Sequence, residues 1–369
     1  MSDLAAAARL RQSESQFPAA WYCEARMLET ERERLFARGP GYVGHQLMVP
    51  APGDFQALAA RDDAQMLVHG PGGVELLSNI CRHRQAIMVH GRGHADNIVC
   101  PVHRWTYALD GRLLGAPHFE TQPCASLART PMQHWRGLLF DGPRDVAADL
   151  GGLSIPDLDF SGYALNRTVV HDCRYNWKTF IEVYLEDYHV GPFHPGLGQF
   201  VTCDDLRWQF ADWASVQQVG VNDGLAKPGT QIYRRWHQAV LDYERGGTPA
   251  HGAIWLTYFP NVMVEWYPHV LVISTLIPKA VDHTQNIIEF YYPEDIALFE
   301  PDFIDAHQAA YLETAQEDDE IAERMDAGRR ALHARGRSET GPYQSPMEDG
   351  MQHFHEFYRR EMGSLADTR

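Results

Sequence analysis

An α+β fold in two parts is what this sequence predicts: a small all-β domain over residues 42–150, then an antiparallel sheet packed with helices over 151–369. Three observations carry that reading. Residues 42–150 are cut into short apolar runs by tight-turn signals. Residues 151–369 mix strand-like runs with long helical stretches. The chain has 369 residues, 44% hydrophobic and 22% charged, enough for two cores and unlike a disordered composition.

Residues 1–41 read as a lead-in that packs on the second domain. Its helix, over 27–38, is filled by Leu28, Glu29, Glu31, Glu33 and Leu35 and stopped by Gly39-Pro40-Gly41. In the first domain, strands are expected at 46–49, 64–68, 73–78, 97–102, 105–109 and 138–140. Residues 105–114 read as a hairpin with a two-residue Asp110-Gly111 turn. The Gly- and Asp-rich stretch 151–162 reads as a linker. Beyond it, a helix is expected at 176–189 and strands at 216–220, 254–260, 261–267, 270–278 and 285–292. Two further helices are expected at 302–335 and 347–362. The polar stretch 222–252 shows little periodicity and reads as a surface excursion rather than a lid.

The net charge of −17 argues against nucleic acid and anionic membranes as partners. The opening MSDLAAAARLRQSESQ lacks an apolar stretch of signal-peptide length, and no window reads as a membrane span. Cys23, Cys81, Cys100, Cys124, Cys173 and Cys203 show no paired framework. Free or metal-bound thiols in a reducing, cytoplasmic setting are therefore expected.

The sharpest motif is Cys81-Arg-His83, sixteen residues, then Cys100-Pro-Val-His103. Thiolate and imidazole ligands suit zinc or an iron–sulfur cluster. In a Rieske centre two His replace two Cys on one iron of a [2Fe–2S] cluster, which raises its potential. Zinc fingers usually begin C-x-x-C, so C-x-H favours the cluster over structural zinc. Trp105 and Tyr107 read as core residues of the hairpin.

A second motif runs from Asn176 to His194. Trp177, Phe180, Ile181, Tyr184, Leu185 and Tyr188 recur at helical spacing, and Glu182, Glu186 and His189 would share one face. Gly191-Pro192 would end the helix and let His194 fold back toward His189. Two His and one carboxylate hold ferrous iron with three open positions. On the late helix, Tyr311, Thr314 or Ala315, Ile321 and Met325 mark an inward stripe that includes Asp318. Glu317, Asp319 and Glu320 fall mainly off it and read as a solvated acidic patch. A carboxylate aimed at the core needs a partner, and iron would supply one for Asp318.

The run NICRHRQAIMVHGRGHADNIVCPVHRWTYALDGRLLGAP resembles the Rieske segment of the Rieske non-haem iron oxygenases, in their catalytic α subunit. The resemblance implies that Cys81 and Cys100 bind one cluster iron and His83 and His103 the other. It implies iron ligation by His189, His194 and Asp318. It implies a Rieske domain over 42–150 and a catalytic helix-grip (START/Bet v1-like) domain over 151–369. The expected cofactors are the [2Fe–2S] cluster, mononuclear Fe(II), O₂, and NAD(P)H through a separate reductase or ferredoxin. Family members place cluster and iron close across the interface of a head-to-tail homotrimer. A carboxylate three residues before the first iron His makes that bridge, implying His103, Glu186 and His189 here. Glu in that place is similar to choline- and carnitine-type monooxygenases. Val183 stands where those relatives often carry Asn.

The expected reaction is hydroxylation, dihydroxylation or oxidative demethylation of a small substrate, an aromatic compound headed for catabolism or a quaternary amine. Aromatic residues around the iron would favour a quaternary ammonium through cation–π contacts. Phe193, Phe200, Trp208, Trp255, Tyr258, Asn261, Met263 and Trp266 are candidate pocket residues. The rival readings are a Rieske electron-transfer protein without oxygenase activity and a zinc-stabilised binding protein.

Overall fold

The computed structural model describes residues 16–245 and 247–363. Most of the opening stretch read for a leader thus lies outside the described residues. Two compact units separate: Pro40–Val146, and the residues up to Gly39 together with those from Ala147 onward. Among the described residues no helix is long and apolar enough to cross a membrane.

After a single helical turn, Ala20–Cys23, the larger unit has helix α1 (Ala25–Glu31), continued by a wide helical turn, Arg32–Phe36. In the smaller unit the strands are β1 (Tyr42–His45), β2 (Asp54–Ala57), β3 (Gln65–Gly70), β4 (Gly73–Ser78), β5 (Arg92–His94), β6 (Ile98–Val99), β7 (Thr106–Tyr107), β8 (Leu113–Gly115), β9 (Arg129–Thr130), β10 (Gln133–Trp135) and β11 (Leu138–Phe140). They form antiparallel sheets in the orders β5-β2-β3-β4-β9, β1-β11-β10 and β6-β7-β8. Two expectations change. Residues 46–49 are not a strand: the His45 ring accepts from the Leu47 amide and starts a 3₁₀ turn instead. The hairpin loop has three residues, because Ala108 N–H donates to Arg112. Gly111 takes φ +83°, the left-handed conformation that closes such a loop.

The larger unit is built on one seven-stranded antiparallel sheet in the order β12-β18-β17-β16-β15-β14-β13. Its strands are β12 (Tyr163–Cys173), β13 (Val201–Ala211), β14 (Ala214–Val221), β15 (Ala253–Tyr258), β16 (Val262–Tyr267), β17 (Val270–Ala280) and β18 (His283–Pro293). Every residue of β15 is buried, so both faces of the sheet are covered there, which explains its near-continuous apolar run. Its longer helices after α1 are α2 (Trp177–Tyr184), α3 (Gln231–Tyr243), α4 (Pro301–Ala334) and α5 (Asp349–Met362). Val219, Trp255, Val272, Ile288 and Phe290 of the sheet share one core with Trp236 of α3 and Phe303 of α4.

The 222–252 excursion is corrected by α3. Tyr233, Trp236, His237 and Val240 are buried at spacings of three and four, and Thr230 caps the helix by accepting from Tyr233 N–H. The stretch 151–162 packs rather than hangs, with Ile155, Leu158 and Phe160 buried.

Candidate active site and its metal ligands

In the smaller unit Cys81 and Cys100 open two loops of the same backbone design. Each Cys N–H donates to the carbonyl five residues on, Ala86 or Trp105. Each Cys carbonyl accepts from the fourth residue on, Gln85 or Arg104, and both of these take φ 60°. The twin turns carry His83 and His103 to ring centroids 4.6 Å apart. Both thiols are buried and unbridged, and His83 Nδ1 is buried without a partner. Two enclosed thiols and an orphaned imidazole nitrogen fit a cluster with Cys₂His₂ ligation. Trp105 and Tyr107 do more than fill the core. Trp105 stacks on His83 at 5.0 Å, and the Tyr107 hydroxyl lies 3.5 Å from Cys81 Sγ and accepts from Arg82 N–H.

In the larger unit α2 ends at Tyr184, five residues short of the expected helix. The reason is visible in Glu182. It does not share a face with Glu186 and His189 but turns back into a buried network. Arg329 donates to it at 2.5 Å and His355 at 2.8 Å, and Tyr22 adds a short hydrogen bond. The neighbouring Glu31 accepts from Trp177, Lys178 and Tyr358 at 2.5–2.7 Å. Asn176 caps α2 through Lys178 N–H. With α2 pinned this way, residues 185–189 leave it as a turn. A short helical turn, Val190–Phe193, then includes Gly191 and Pro192 rather than stopping at them, and leads to His194.

His189, His194 and Asp318 of α4 bring one ligand atom each within 4.8 Å of one another. His189 Nε2 and His194 Nε2 are 3.0 Å apart, and Asp318 Oδ1 lies 3.4 and 3.0 Å from them. Behind the pair, Glu186 binds His189 Nδ1 and Glu317 accepts from His194 Nδ1 at 2.7 Å. Carboxylates at Nδ1 hold the proton there and aim the Nε2 lone pairs at the common point. Burial disfavours positive charge at His189, but Asp318 and Glu186 outweigh it, so the carboxylates draw positive charge to this point. Two lone pairs and a carboxylate oxygen facing one point call for a cation between them. The donor set suits ferrous iron.

The ring-hydroxylating α-subunit catalytic domain family matches residues 160–364, and the Rieske [2Fe-2S] domain family matches residues 40–128. The chain belongs to the Rieske oxygenases. It is 65% identical to a putrescine 2-hydroxylase of Ralstonia nicotianae, over 98% of this chain and all of that one. It is 55% identical to a putrescine 2-hydroxylase of Bordetella bronchiseptica, over its whole length and 89% of the relative. Among solved structures, a quaternary ammonium Rieske monooxygenase with L-carnitine superposes with a TM-score of 0.73 at 19% identity, over 95% of this chain and 96% of that one. Naphthalene 1,2-dioxygenase from Rhodococcus sp. gives 0.70 at 19%, over 94% of each. This protein is thus the terminal oxygenase component of a multicomponent system. It uses a Rieske [2Fe–2S] cluster, mononuclear non-haem iron and O₂, with electrons from NAD(P)H through a reductase or ferredoxin. The reading as a bare electron carrier fails, because the catalytic-domain match covers most of the second unit.

In this Rieske oxygenase a cavity adjoins His189, His194 and Asp318. Phe200 and Trp255, both read from sequence as pocket candidates, line it; Phe193, Trp208, Tyr258, Asn261, Met263 and Trp266 do not. Trp208 donates to the Pro346 carbonyl, Tyr258 to Asp149 and Asn261 to the Leu276 carbonyl. Their hydrogen bonds turn them to other duties. The cavity walls instead include Tyr233 and Trp236 of α3, Tyr267 and Glu265 of β16, and Tyr311 of α4. Tyr311 sits on the stripe that marked Asp318, whereas Glu265 hides in an apolar strand, VMVEWY, where a lone acid is the available signal.

The acidic patch reading is also corrected. Glu317 backs His194, and Asp319 accepts from Tyr175 at 2.7 Å and meets His171 Nε2 at 2.8 Å. Among the three, Glu320 alone fits the solvated reading, paired with Arg324 on the exposed face. His171, Cys173 and Asp319 also bring donors within 4.8 Å, but the His171–Asp319 and Tyr175–Asp319 hydrogen bonds make that group a clamp on α4 beside Asp318.

Proposed function

We propose that this oxygenase hydroxylates a carbon of a small aliphatic diamine of the putrescine type. The observation that carries the reading is the charge of the cavity. Besides Glu186 and Asp318, which are engaged with the iron-site histidines, Asp187 and Glu265 line it, with aromatic rings and without a Lys or Arg. Such a cavity favours a flexible cation with N–H groups to give. A quaternary ammonium has no N–H to offer Glu265, and an uncharged aromatic ring would leave that carboxylate unpaired. The identity to two putrescine 2-hydroxylases supports the same substrate class.

The roles follow. Cys81, His83, Cys100 and His103 hold the cluster, and His189, His194 and Asp318 hold the iron, which supplies O₂ activation when bound. Glu186 binds His189 Nδ1 and links it to His103 of the neighbouring protomer in a head-to-tail homotrimer. One oxygen atom enters a C–H bond and the other leaves as water, consuming two electrons and two protons. The aromatic walls position the methylene chain and exclude bulk water. Six cysteines without a disulfide among them support a reducing, cytoplasmic setting.

The test is reconstitution with a reductase and NAD(P)H, following O₂ uptake and product mass. Putrescine should yield a hydroxylated diamine with matched NAD(P)H use. Turnover of carnitine or an aromatic acid, with putrescine inert, would overturn the reading.

A further inference from the structure

We infer that Glu265 is the anchor for one ammonium group of the substrate and so determines which molecules the cavity accepts; this rests on the diamine reading above. Glu265 stands on the central strand β16, opposite Trp255 on β15 and Val272 on β17, and reaches the cavity from the sheet. It is 2% exposed. Tyr267 donates to its Oε2 at 2.8 Å, and Tyr311 and Ser274 donate to its Oε1 at 3.3 Å each. The Trp255 indole donates to the Tyr267 hydroxyl at 3.0 Å and thereby turns that hydroxyl's own proton toward the glutamate.

These donors are neutral, and two of the three contacts are long. A carboxylate has about four lone-pair sites, so acceptor capacity remains. Among the described residues three hydroxyls hydrogen-bond Glu265, the Tyr184 hydroxyl and the Asp318 carboxylate lie near it, and no Lys, Arg or His hydrogen-bonds to it. A carboxylate buried without a counter-ion is costly, so evolution for stability alone favours an apolar residue there. Burial pushes its pKa up to about 7, the mark of a negative charge lacking its partner.

A diamine supplies the missing charge at one end and further N–H donors at the other. The same cavity offers three more buried oxygens without partners, Asp187 Oδ2, Asn286 Oδ1 and Tyr184 Oη, the last close to Glu265 itself. Trp236, Trp255 and Tyr311 line the same cavity and offer rings to a chain of methylenes and to the ammonium itself. With one nitrogen fixed at Glu265, the carbon presented to the iron ligands is set by counting bonds along the chain. Glu265 is accordingly a specificity residue that touches substrate and takes no part in the oxygen chemistry.

The experiment compares wild type with Glu265→Gln, both loaded with cluster and iron, using putrescine, butylamine and 1,4-butanediol. Anaerobic calorimetry gives binding, and steady-state turnover with the reductase gives kcat and KM. The expected result is a Kd and KM for putrescine raised about 10- to 100-fold in the variant, with kcat changed much less and Tm equal or higher. Turnover in wild type with unchanged Kd in Glu265→Gln overturns the anchor and leaves the diamine reading standing. Absence of both binding and turnover of putrescine in wild type overturns the diamine reading and the anchor with it. Should the variant fail to fold, wild type decides alone: putrescine binding no tighter than 1,4-butanediol overturns the anchor.

Discussion

Glu182 and Glu265 are both buried glutamates in the same unit, and they meet opposite surroundings. Glu182, on the back of α2, is held by the Arg329 guanidinium, the His355 ring and the Tyr22 hydroxyl. Burial works to raise its pKa, but Arg329 and the hydrogen bonds hold it down at about 2. Glu265, on the cavity side, has hydroxyl partners and no cation, and burial carries it up to about 7. A saturated network resists change and fixes geometry. An unsaturated one waits for a ligand. The molecule keeps the two kinds apart, with the rigid kind behind the helix that precedes His189 and the receptive kind in front of it.

The comparison is broken most completely at the iron ligands. Asp318→Ala should abolish hydroxylation and cut bound iron, with the Rieske spectrum retained; metal analysis beside an activity assay checks this. Glu186→Gln should keep iron and cluster yet leave almost no product, and normal turnover there would remove the inter-protomer bridge. On the saturated side, Arg329→Met strands a buried Glu182 charge and should cost about 3–5 kcal/mol, read from denaturant unfolding. Glu265→Gln should cost little by the same measurement. Glu317→Ala removes the acceptor that orients the ring of His194 and should weaken iron binding about 10- to 100-fold.

The smallest effect is one of pH. Glu265 is charged only above its raised pKa, so KM for a diamine should fall as pH rises through about 7 and then level. The hydroxyls of Tyr184, Tyr267 and Tyr311 are driven well above 10 by burial, and Asp318 is lowered by its histidines, so none of them titrates there. Asp187 lines the same cavity and burial takes it to about 7 as well. The slope that disappears in Glu265→Gln is the part belonging to Glu265. Stability runs the other way for the two glutamates. Glu182 lends stability that is lost as pH falls from its unfolded value of about 4.3 toward 2, while Glu265 costs stability as pH rises from about 4.3 toward 7.

The motifs that sit close together in the chain were legible in sequence. Cys81-x-His83 and Cys100-x-x-His103 form their twin turns from local residues alone, and the stripe on α4 picks out Asp318 because helical periodicity is a local property. What depends on distant packing was not legible. The end of α2 at Tyr184 is set by Arg329 and His355, far away in sequence. Glu317 and Asp319 read as solvated because their partners, His194, Tyr175 and His171, come from other elements. Helix α3 was missed for a different reason: its buried Tyr233, Trp236, His237 and Val240 are diluted by charged neighbours, so the stripe is narrow. The pocket candidates rest on elements that could line the site, and membership of an element says nothing about the direction a strand residue faces.

Helix α3 has a consequence of its own. Tyr233 and Trp236, two of the cavity's large rings, arrive on one contiguous stretch of thirteen residues that carries none of the proposed iron ligands. The width of the chamber is therefore written in a separable piece of the chain. Exchange of that piece, by drift or by design, can reshape the guest list while leaving the oxidising machinery as it stands.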